Sequence, residues 1–257
     1  MPIRAGEGGA TWQSVAEEPG SFRTWKTGLS IHHWPDGFTY ANGDETVFDH
    51  HPQDEEMWVL EGRLHYDHWF SMAGPAYIRH PPFFMHPSRQ RAEGRTVIVN
   101  RYCVRPIVNF EPIPPDWDGV CRTAPGTPTR NPGVQAFEYG DLPWGQVLDR
   151  AGRPLGYEAK HLADDADDGW TSSVLMFPPG WQGQGPRREL EGGSEILVLG
   201  GDLTLDRGHG PHELEEGTYW CDPDHLIDGG STEKSKTGCL ALRWTRGDDR
   251  QLPAPLT

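Results

Sequence analysis

The sequence predicts an all-β protein made of two tandem barrels, and three observations support this prediction. Glycine and proline are frequent, with 32 Gly and 24 Pro among 257 residues, so the chain turns often. Helical periodicity of apolar residues is nearly absent, whereas short alternating runs recur along the chain. The two halves also repeat one pattern, and a chain of this length accommodates two modules of about 100 to 150 residues each.

The predicted strands are short and end at Gly or Pro, as in sandwiches and barrels. In chain order they cover residues 37–40, 46–51, 56–60, 63–69, 76–78 and 95–104 in the first half, and 172–177, 196–199, 202–205, 218–220 and 238–244 in the second. Only residues 146–150 and a short stretch near residue 12 are compatible with a turn or two of helix.

The repeat is visible when the halves are aligned. EEMWVLEGRLHYD, residues 55–67, resembles SEILVLGGDLTLD, residues 194–206. AGPAYIRHPP, residues 73–82, resembles EGTYWCDPD, residues 216–224, and each half then closes with a strand, TVIVNRYCV or GCLALRWTR. Two copies of one β module follow from this pattern.

A proline-rich stretch, residues 105–133, separates the two copies and cannot form a regular element. We expect it to be an ordered connector, with the module boundary near residue 130. The predicted domains are therefore residues 1–130, a metal-binding module with its connector, and residues 131–257, a module without metal ligands.

Charge and hydropathy exclude several classes of partner. The formal net charge of −15 repels phosphate backbones and anionic lipid, so neither nucleic acid nor a membrane surface is an expected partner. Nowhere do about 18 apolar residues run together, and residues 1–20 lack a signal-peptide core. The four cysteines show no CxxC spacing and are expected to be buried thiols. We expect a cytoplasmic protein.

The stretch FDHHPQDEEMWVLEG, residues 48–62, gathers imidazoles and carboxylates beside an apolar strand. Such a stretch is either a solvated acidic turn or the ligand cluster of a metal site. In an extended strand Asp49 and His51 project to one face and His50 to the other. A turn after His51 then lets Glu55 enter from the neighbouring strand. Three groups thus face one point, which favours a metal site.

At these residues the chain resembles the cupin family, and its repeat resembles a bicupin. The first cupin motif contains HxH, three or four residues, Glu, six residues and Gly; here three residues separate His51 from Glu55, and six separate Glu55 from Gly62. The second motif has a proline-containing turn before one His, as in YIRHPPFFMHPSR, where a Pro-Pro pair precedes His86. The wording around both motifs is also similar to the cupin domain of zinc-dependent anti-sigma factors.

The resemblance implies one divalent metal ion bound by His51, Glu55 and His86, with Asp49 where the family has its first His. Two imidazoles with two carboxylates form a hard site that suits Fe(II) or Mn(II), and Fe(II) is the preferred ion; Zn(II) and Ni(II) are alternatives. Without Asp49, two His and one Glu still form the facial triad of non-haem iron oxygenases. After a one-residue strand slip, His50 replaces Asp49, and the sequence leaves this alternative open.

The aligned positions in the second half lack a ligand set. Ser194 stands at the place of Glu55, while the places of Asp49, His51 and His86 are taken, in that order, by Arg188, Leu190 and Asp228. A shift of the turn by three residues would make His225 an alternative ligand. We expect the second module to be a structural partner.

Further residues of the first module are candidates for the lining of the site. His65 and Tyr102 are the catalytic candidates. The substrate-binding candidates are arginines, which can bind a carboxylate through two parallel hydrogen bonds, and residues with aromatic or amide side chains. They are Trp58, Tyr77, Arg79, Phe84, Asn100 and Arg101.

The resemblance implies a metal-dependent enzyme, and we expect a non-haem Fe(II) dioxygenase acting on a small organic acid, phenol or dicarbonyl. One alternative is a redox-neutral isomerase, lyase or hydrolase that uses the metal as a Lewis acid. A second alternative is a metal- or ligand-sensing module. Cupins often form dimers, so the resemblance is compatible with a homodimer. The expected partner is a small-molecule substrate.

Overall fold

The computed structural model describes most of the chain. The described residues are 11–16, 28–41, 47–51, 54–66, 70–87, 89–102, 109–116, 135–149, 151–165, 170–183, 188–191, 193–206, 210–222, 225–228 and 233–246. Every regular element among them is a β-strand, which confirms the all-β prediction. Across these ranges no helix is long and apolar enough to cross a membrane.

The described residues divide into two compact units, the first ending at Asp141 and the second beginning at Leu142. The first unit contains β1 (Thr11–Ala16), β2 (Gly28–Trp34), β3 (Thr39–Ala41), β4 (Val47–His50), β5 (Glu55–Tyr66), β6 (Phe70–Ala73), β7 (Ala76–His80), β8 (His86–Pro87), β9 (Arg89–Tyr102), β10 (Asn109–Pro112) and β11 (Gln135–Glu138). Its large sheet has the order β1-β2-β9-β5-β7-β11, with β3 on β9 and β6 on β5; its small sheet has the order β10-β4-β8.

The second unit repeats this plan. It contains β12 (Gly145–Leu148), β13 (Pro154–Asp165), β14 (Trp170–Phe177), β15 (Arg188–Glu191), β16 (Ser194–Asp206), β17 (Pro211–Glu215), β18 (Tyr219–Asp222), β19 (His225–Asp228) and β20 (Cys239–Arg246). The large sheet runs β12-β13-β14-β20-β16-β17 with β18 on β16, and β15 pairs with β19.

The position of the division differs from the predicted boundary near residue 130. Strand β11 lies beyond that boundary, yet it pairs with β7 of the first unit, from Gln135 opposite Arg79 to Glu138 opposite Ala76. Because β11 pairs with a strand of the first barrel, the division between the two units falls between Asp141 and Leu142. The prediction that residues 105–133 form no regular element is wrong, because Asn109–Pro112 forms β10 and pairs antiparallel with β4. Residues 117–134, which contain the predicted boundary and much of the predicted connector, lie outside the described residues.

Two of the long strands, β5 and β16, contain a glycine where two separate strands were predicted. Strand β5 continues through Gly62, which has a φ of +79° and whose added Cβ would lie 2.3 Å from the Arg95 carbonyl oxygen. Gly201 plays the same part in β16, with a φ of +80° and an added Cβ 1.8 Å from the Gly238 carbonyl oxygen. Register shifts accompany both sites, so the glycine of the motif forms a bulge within one bent strand instead of ending it.

The two stretches compatible with helix are strands. β1 pairs antiparallel with β2, and β12 pairs antiparallel with β13. In β12 the side chain of Val147 is fully buried in the second core, and such burial on a sheet overrides weak local helix propensity.

Each unit has its own apolar core. That of the first barrel comprises Trp34, Met57, Val59, Leu64, Tyr66, Met72, Ala76, Ile78, Ala92 and Ile98. That of the second includes Val147, Tyr157, Leu175, Phe177, Trp181, Ile196, Val198, Leu203, Leu205, Leu214 and Ala241. Along β5, Met57 and Val59 belong to the core, so alternation places Glu55 on the same, inner face and Glu56 on the outer face.

Candidate metal centre

The candidate site lies between the two sheets of the first barrel. Strand β4 of the small sheet supplies Asp49 and leads into His51, and β8 supplies His86, which is paired with Asp49. Strand β5 of the large sheet begins with Glu55, which stands opposite His80 at the end of β7. Local sequence therefore delivers these polar side chains to one end of the barrel.

His51, Glu55 and His86 form a group that could hold a metal ion. Each offers a ligand atom, these atoms lie within 4.8 Å of one another, and all three side chains are buried. Glu55 Oε2 lies 3.1 Å from His51 Nε2 and 3.9 Å from His86 Nε2. Two ligand atoms about 2.1 Å from one ion are separated by about 3.0 Å at right angles and about 3.4 Å at tetrahedral angles. The donor set thus fits a small divalent cation.

Asp49 contacts the other ring nitrogen of His86. Its Oδ1 lies 2.9 Å from His86 Nδ1, and its side chain is only 3% exposed. A carboxylate in this position accepts the Nδ1–H and leaves the Nε2 lone pair for a metal. The structure places Asp49 against His86 and outside the group that could hold an ion, and its role as a fourth ligand stays a prediction.

Two further side chains position Glu55. Asn100 Nδ2 donates to Glu55 Oε1 at 3.2 Å. His80 Nδ1 lies 3.0 Å from Glu55 Oε2, and the His80 ring stacks on the His86 ring with 4.0 Å between centroids. One carboxylate oxygen is thus held by an amide, while the other faces the three imidazoles.

The imidazoles determine the charge state of the buried carboxyl groups. Burial by itself raises the pKa of Glu55, but His51 and His80 together lower it well below its ordinary value. The pKa of Asp49 is also lowered, because His86 and His51 outweigh the effect of burial. Burial, assisted by His86, lowers the pKa of His80 to about 4, so this imidazole is neutral at pH 7. Ionised carboxylates beside neutral imidazoles are the forms that bind metal.

A small cavity opens beside the group. It is lined by His32, Trp34, Tyr40, Asp49, His51, Glu55, Met57, His86, Gln90, Ile98 and Asn100. Its volume is about 30 Å³, enough for one or two water-sized molecules within the described residues. Burial lowers the pKa of His32 to about 4, against the opposing charge of Glu55, so His32 brings a neutral imidazole to the cavity.

Four of the predicted substrate-binding residues lie on the opposite face of the large sheet. Arg79 and Arg101 both pair with Glu56, not with Glu55. Arg101 Nη1 donates to Glu56 Oε2 at 3.0 Å, and the Tyr77 hydroxyl donates to Glu56 Oε1 at 2.6 Å.

Arg79 Nε donates to Asp54 Oδ1 at 3.2 Å, and the rings of Trp58 and Tyr77 pack with centroids 5.3 Å apart. These side chains form a buried network behind the site and do not line it.

The remaining predicted residues have varied positions. His65 contacts Glu93 at 2.6 Å and lies ten residues along β5 from Glu55, on the order of 30 Å of strand, so it is remote from the group. Phe84 is buried away from the cavity-lining residues. His50 packs near Phe83, with ring centroids 6.5 Å apart. Tyr102 pairs with Glu55 through its backbone, and its side chain is outside the described residues.

His32 and His80 are the site residues that sequence reasoning missed. In β7, residues 76, 78 and 80 lie on the inner face of the sheet. Tyr77 and Arg79, which were predicted to bind substrate, lie on the outer face. His80 stands directly before the Pro-Pro turn, which is the signal that points to it. His32 shares its face with the core residue Trp34, and no motif in the sequence marks it.

The second barrel confirms the alignment of the repeat through its backbone register. Arg188 pairs with Asp228 as Asp49 pairs with His86, and Ser194 takes the place of Glu55. Within the described part of this barrel no group of His, Cys, Asp and Glu side chains comparable to the one in the first barrel is present.

Comparison with solved structures identifies the fold. The chain is similar to a Nostoc punctiforme protein named for a proposed dioxygenase activity, with 14% identity, a TM-score of 0.60 and coverage of 97% of this chain and 88% of that chain. It is similar to the coconut allergen cocosin, with 11% identity, a TM-score of 0.58 and coverage of 97% and 84%.

A point variant of salicylate 1,2-dioxygenase from Pseudoaminobacter salicylatoxidans is also similar, with 14% identity, a TM-score of 0.55 and coverage of 86% and 70%. These likenesses confirm the predicted fold, two tandem cupin barrels of the double-stranded β-helix type. No protein-family model matches the chain, and no curated protein matches its sequence. The predicted likeness to anti-sigma factors stays a prediction.

Proposed function

We propose that this chain is a metal-dependent cupin enzyme, a non-haem Fe(II) dioxygenase that acts on a small organic acid, phenol or dicarbonyl. The observation that carries the proposal is the buried convergence of His51, Glu55 and His86 on one point. Two imidazoles and one carboxylate suit Fe(II), and their arrangement on one side leaves coordination positions open. Dioxygenases occur among the structural neighbours and support the same class.

In this proposal His51, Glu55 and His86 hold the metal ion. When bound, an Fe(II) ion supplies Lewis acidity and the redox chemistry of O2. Asp49 holds the His86 ring in the tautomer that presents Nε2, and Asn100 holds one oxygen of Glu55 so that the other faces the imidazoles. These contacts keep the donor atoms in place before substrate arrives.

The cavity residues handle the substrate. His32, neutral at pH 7 and in contact with Ser30 Oγ at 2.7 Å through Nε2, offers a hydrogen-bonding group to a substrate hydroxyl or enol beside Glu55. Trp34 and Tyr40, whose rings stack with 5.7 Å between centroids, form an aromatic wall that excludes water.

Oxygen uptake with matched variants tests the proposal. Protein loaded anaerobically with Fe(II) is mixed with 2,4-pentanedione, pyruvate or catechol, and O2 consumption and bound iron are measured. Glu55→Gln is expected to lose both, whereas Glu56→Gln, its neighbour on the outer face, keeps both.

The other outcomes are distinct. Turnover that is indifferent to O2 and supported by Mn(II) or Zn(II) assigns the redox-neutral class. Protein that binds only zinc and is inert with every substrate counts against an enzyme of either class and favours a sensing module.

A further inference from the structure

The second barrel has a buried cation at the place that belongs to the metal centre in the first. Met57 pairs with Asn100 in the first barrel, and the equivalent Ile196 pairs with Arg243 in the second. Arg243 is 3% exposed. The repeat therefore exchanges the amide that supports Glu55 for a guanidinium.

Its partner has changed as well. Asn100 donates to the carboxylate of Glu55, whereas Arg243 Nε donates to the neutral Ser194 Oγ at 3.3 Å. Among the described residues no carboxylate forms an ion pair with Arg243, and its Nη2 is buried without a hydrogen-bond acceptor. A charge removed from water without a counter-charge is strongly unfavourable. An anion bound beside Arg243 would supply that counter-charge.

A second buried donor lies on the same face of the sheet. Trp220 pairs with Ile196 from β18 while Arg243 pairs with it from β20, so both side chains are on the inner face. Trp220 packs against the second core, and its Nε1 is buried with no acceptor among the described residues. On the neighbouring strands, Ser173 of β14 pairs with Arg243, and His161 of β13 pairs with Ser173.

We propose that Ser194, Trp220 and Arg243, the arginine site, bind a small carboxylate. The guanidinium offers a fork that matches two carboxylate oxygens, and the indole N–H and the hydroxyl add two donors. Arg243 lies three residues before Arg246, the last residue of β20, and is therefore close to the end of the barrel. This site is independent of the metal centre and of the function proposed for it.

Calorimetric titration of the full chain tests the arginine site. The probes are sodium acetate, benzoate and inorganic phosphate, each against sodium chloride at equal ionic strength. We expect saturable binding of acetate or benzoate at one site per chain. Arg243→Gln should weaken it at least tenfold, while Arg95→Gln, which removes a guanidinium that is 69% exposed in the first barrel, leaves it unchanged.

Two further variants separate binding from folding and from the metal. Trp220→Phe keeps an aromatic ring and leaves the Arg243 charge in place but removes the indole N–H, and it should weaken binding a few-fold with unchanged circular dichroism. Glu55→Gln should leave binding intact, because the first barrel does not supply the site.

Several results would overturn the proposal. They are the absence of saturable carboxylate binding, binding that Arg243→Gln leaves unchanged, loss of binding in Glu55→Gln, and binding of phosphate alone. Asp222 pairs with Ser194 through its backbone. If wild type binds no probe and Asp222→Asn acquires binding, the chain supplies its own counter-charge and the proposal fails.

Discussion

Asp49 and His86 are joined across β4 and β8, with Asp49 Oδ1 2.9 Å from His86 Nδ1, while the other ring nitrogen of His86 faces Glu55. We expect the carboxylate to orient the imidazole and not to bind the ion. We therefore expect Asp49→Ala to weaken metal binding about 10- to 100-fold without abolishing it. Asp49→Asn keeps an acceptor for Nδ1–H and should lose less. Competition with a chromogenic chelator for Mn(II) or Zn(II) measures both.

The control for this pair is Glu56→Gln, which removes a buried carboxylate on the outer face and should leave metal affinity unchanged. If Asp49 were a ligand, both of its variants would lose binding to the extent that His86→Ala does. That result would restore the four-ligand site.

Tyr77 is expected to stabilise the fold without contributing to substrate binding. Its hydroxyl donates to Glu56 at 2.6 Å on the buried outer face. Tyr77→Phe should lower the free energy of unfolding by about 1–3 kcal/mol, because a buried acceptor loses a donor. Metal content and KM should not change. Chemical denaturation and activity assays together check this.

The matched position in the second barrel is Tyr219, whose hydroxyl donates to Glu195 at 3.0 Å and which is less buried. Tyr219→Phe should cost less than Tyr77→Phe. A rise in KM with unchanged stability for Tyr77→Phe would return this residue to the substrate site.

The bulge glycines are expected to be the least replaceable residues of the repeat. Gly201→Ala combines a positive φ with a Cβ 1.8 Å from a carbonyl oxygen, and Gly62→Ala is similar at 2.3 Å. Each should lower the free energy of unfolding by about 2–5 kcal/mol, from backbone strain and overpacking together. Gly37→Ala has a φ of +73° but no atom within 4 Å of its Cβ, so it reports the backbone strain alone. Equal destabilisation by all three would show that the close approach is relieved by relaxation.

Asp202 is expected to make stability depend on acid pH. Hydrogen bonds from the Lys236 backbone and from Thr237 lower the pKa of Asp202 below its ordinary value of 3.8. A carboxyl group with a lowered folded-state pKa contributes stability above its ordinary pKa, and the contribution is lost as the pH falls through the lowered value. Asp202→Asn should therefore reduce stability at pH 7 more than at pH 3, measured by urea unfolding at both values. An equal effect at the two pH values would contradict this linkage.

The ligand group of the first barrel could be predicted because its information is local. His51 and Glu55 are four residues apart across one turn, and a Pro-Pro turn marks His86. The side chains around that group could not be predicted in the same way, because they depend on strand register. If the register of β7 is assigned one residue off, Arg79 instead of His80 is placed on the inner face. Every other side chain of the strand is then assigned to the wrong face as well.

The fold followed from the repeat, whereas the extents of its strands did not. A glycine in an alternating run indicates an end or a bulge equally well, and only the partner strand decides. In β5 the partner β9 continues past Gly62, whereas in β16 the pairing with β20 ends at Gly201 and β17 becomes the partner from Asp202 onward, so both strands continue. Arg243 could not be identified from the sequence, because it is recognised only when the strand register shows that it occupies the position of Asn100 in the first barrel.

Anomalous diffraction from crystals grown with Fe(II) or Mn(II) tests the metal centre most directly. We expect one peak in the first barrel, ligated by His51, Glu55 and His86, with Asp49 on the far nitrogen of His86 and no peak in the second barrel. Fully loaded crystals in which the ion lies elsewhere, with no peak between these three side chains, would contradict the metal centre and the function proposed from it.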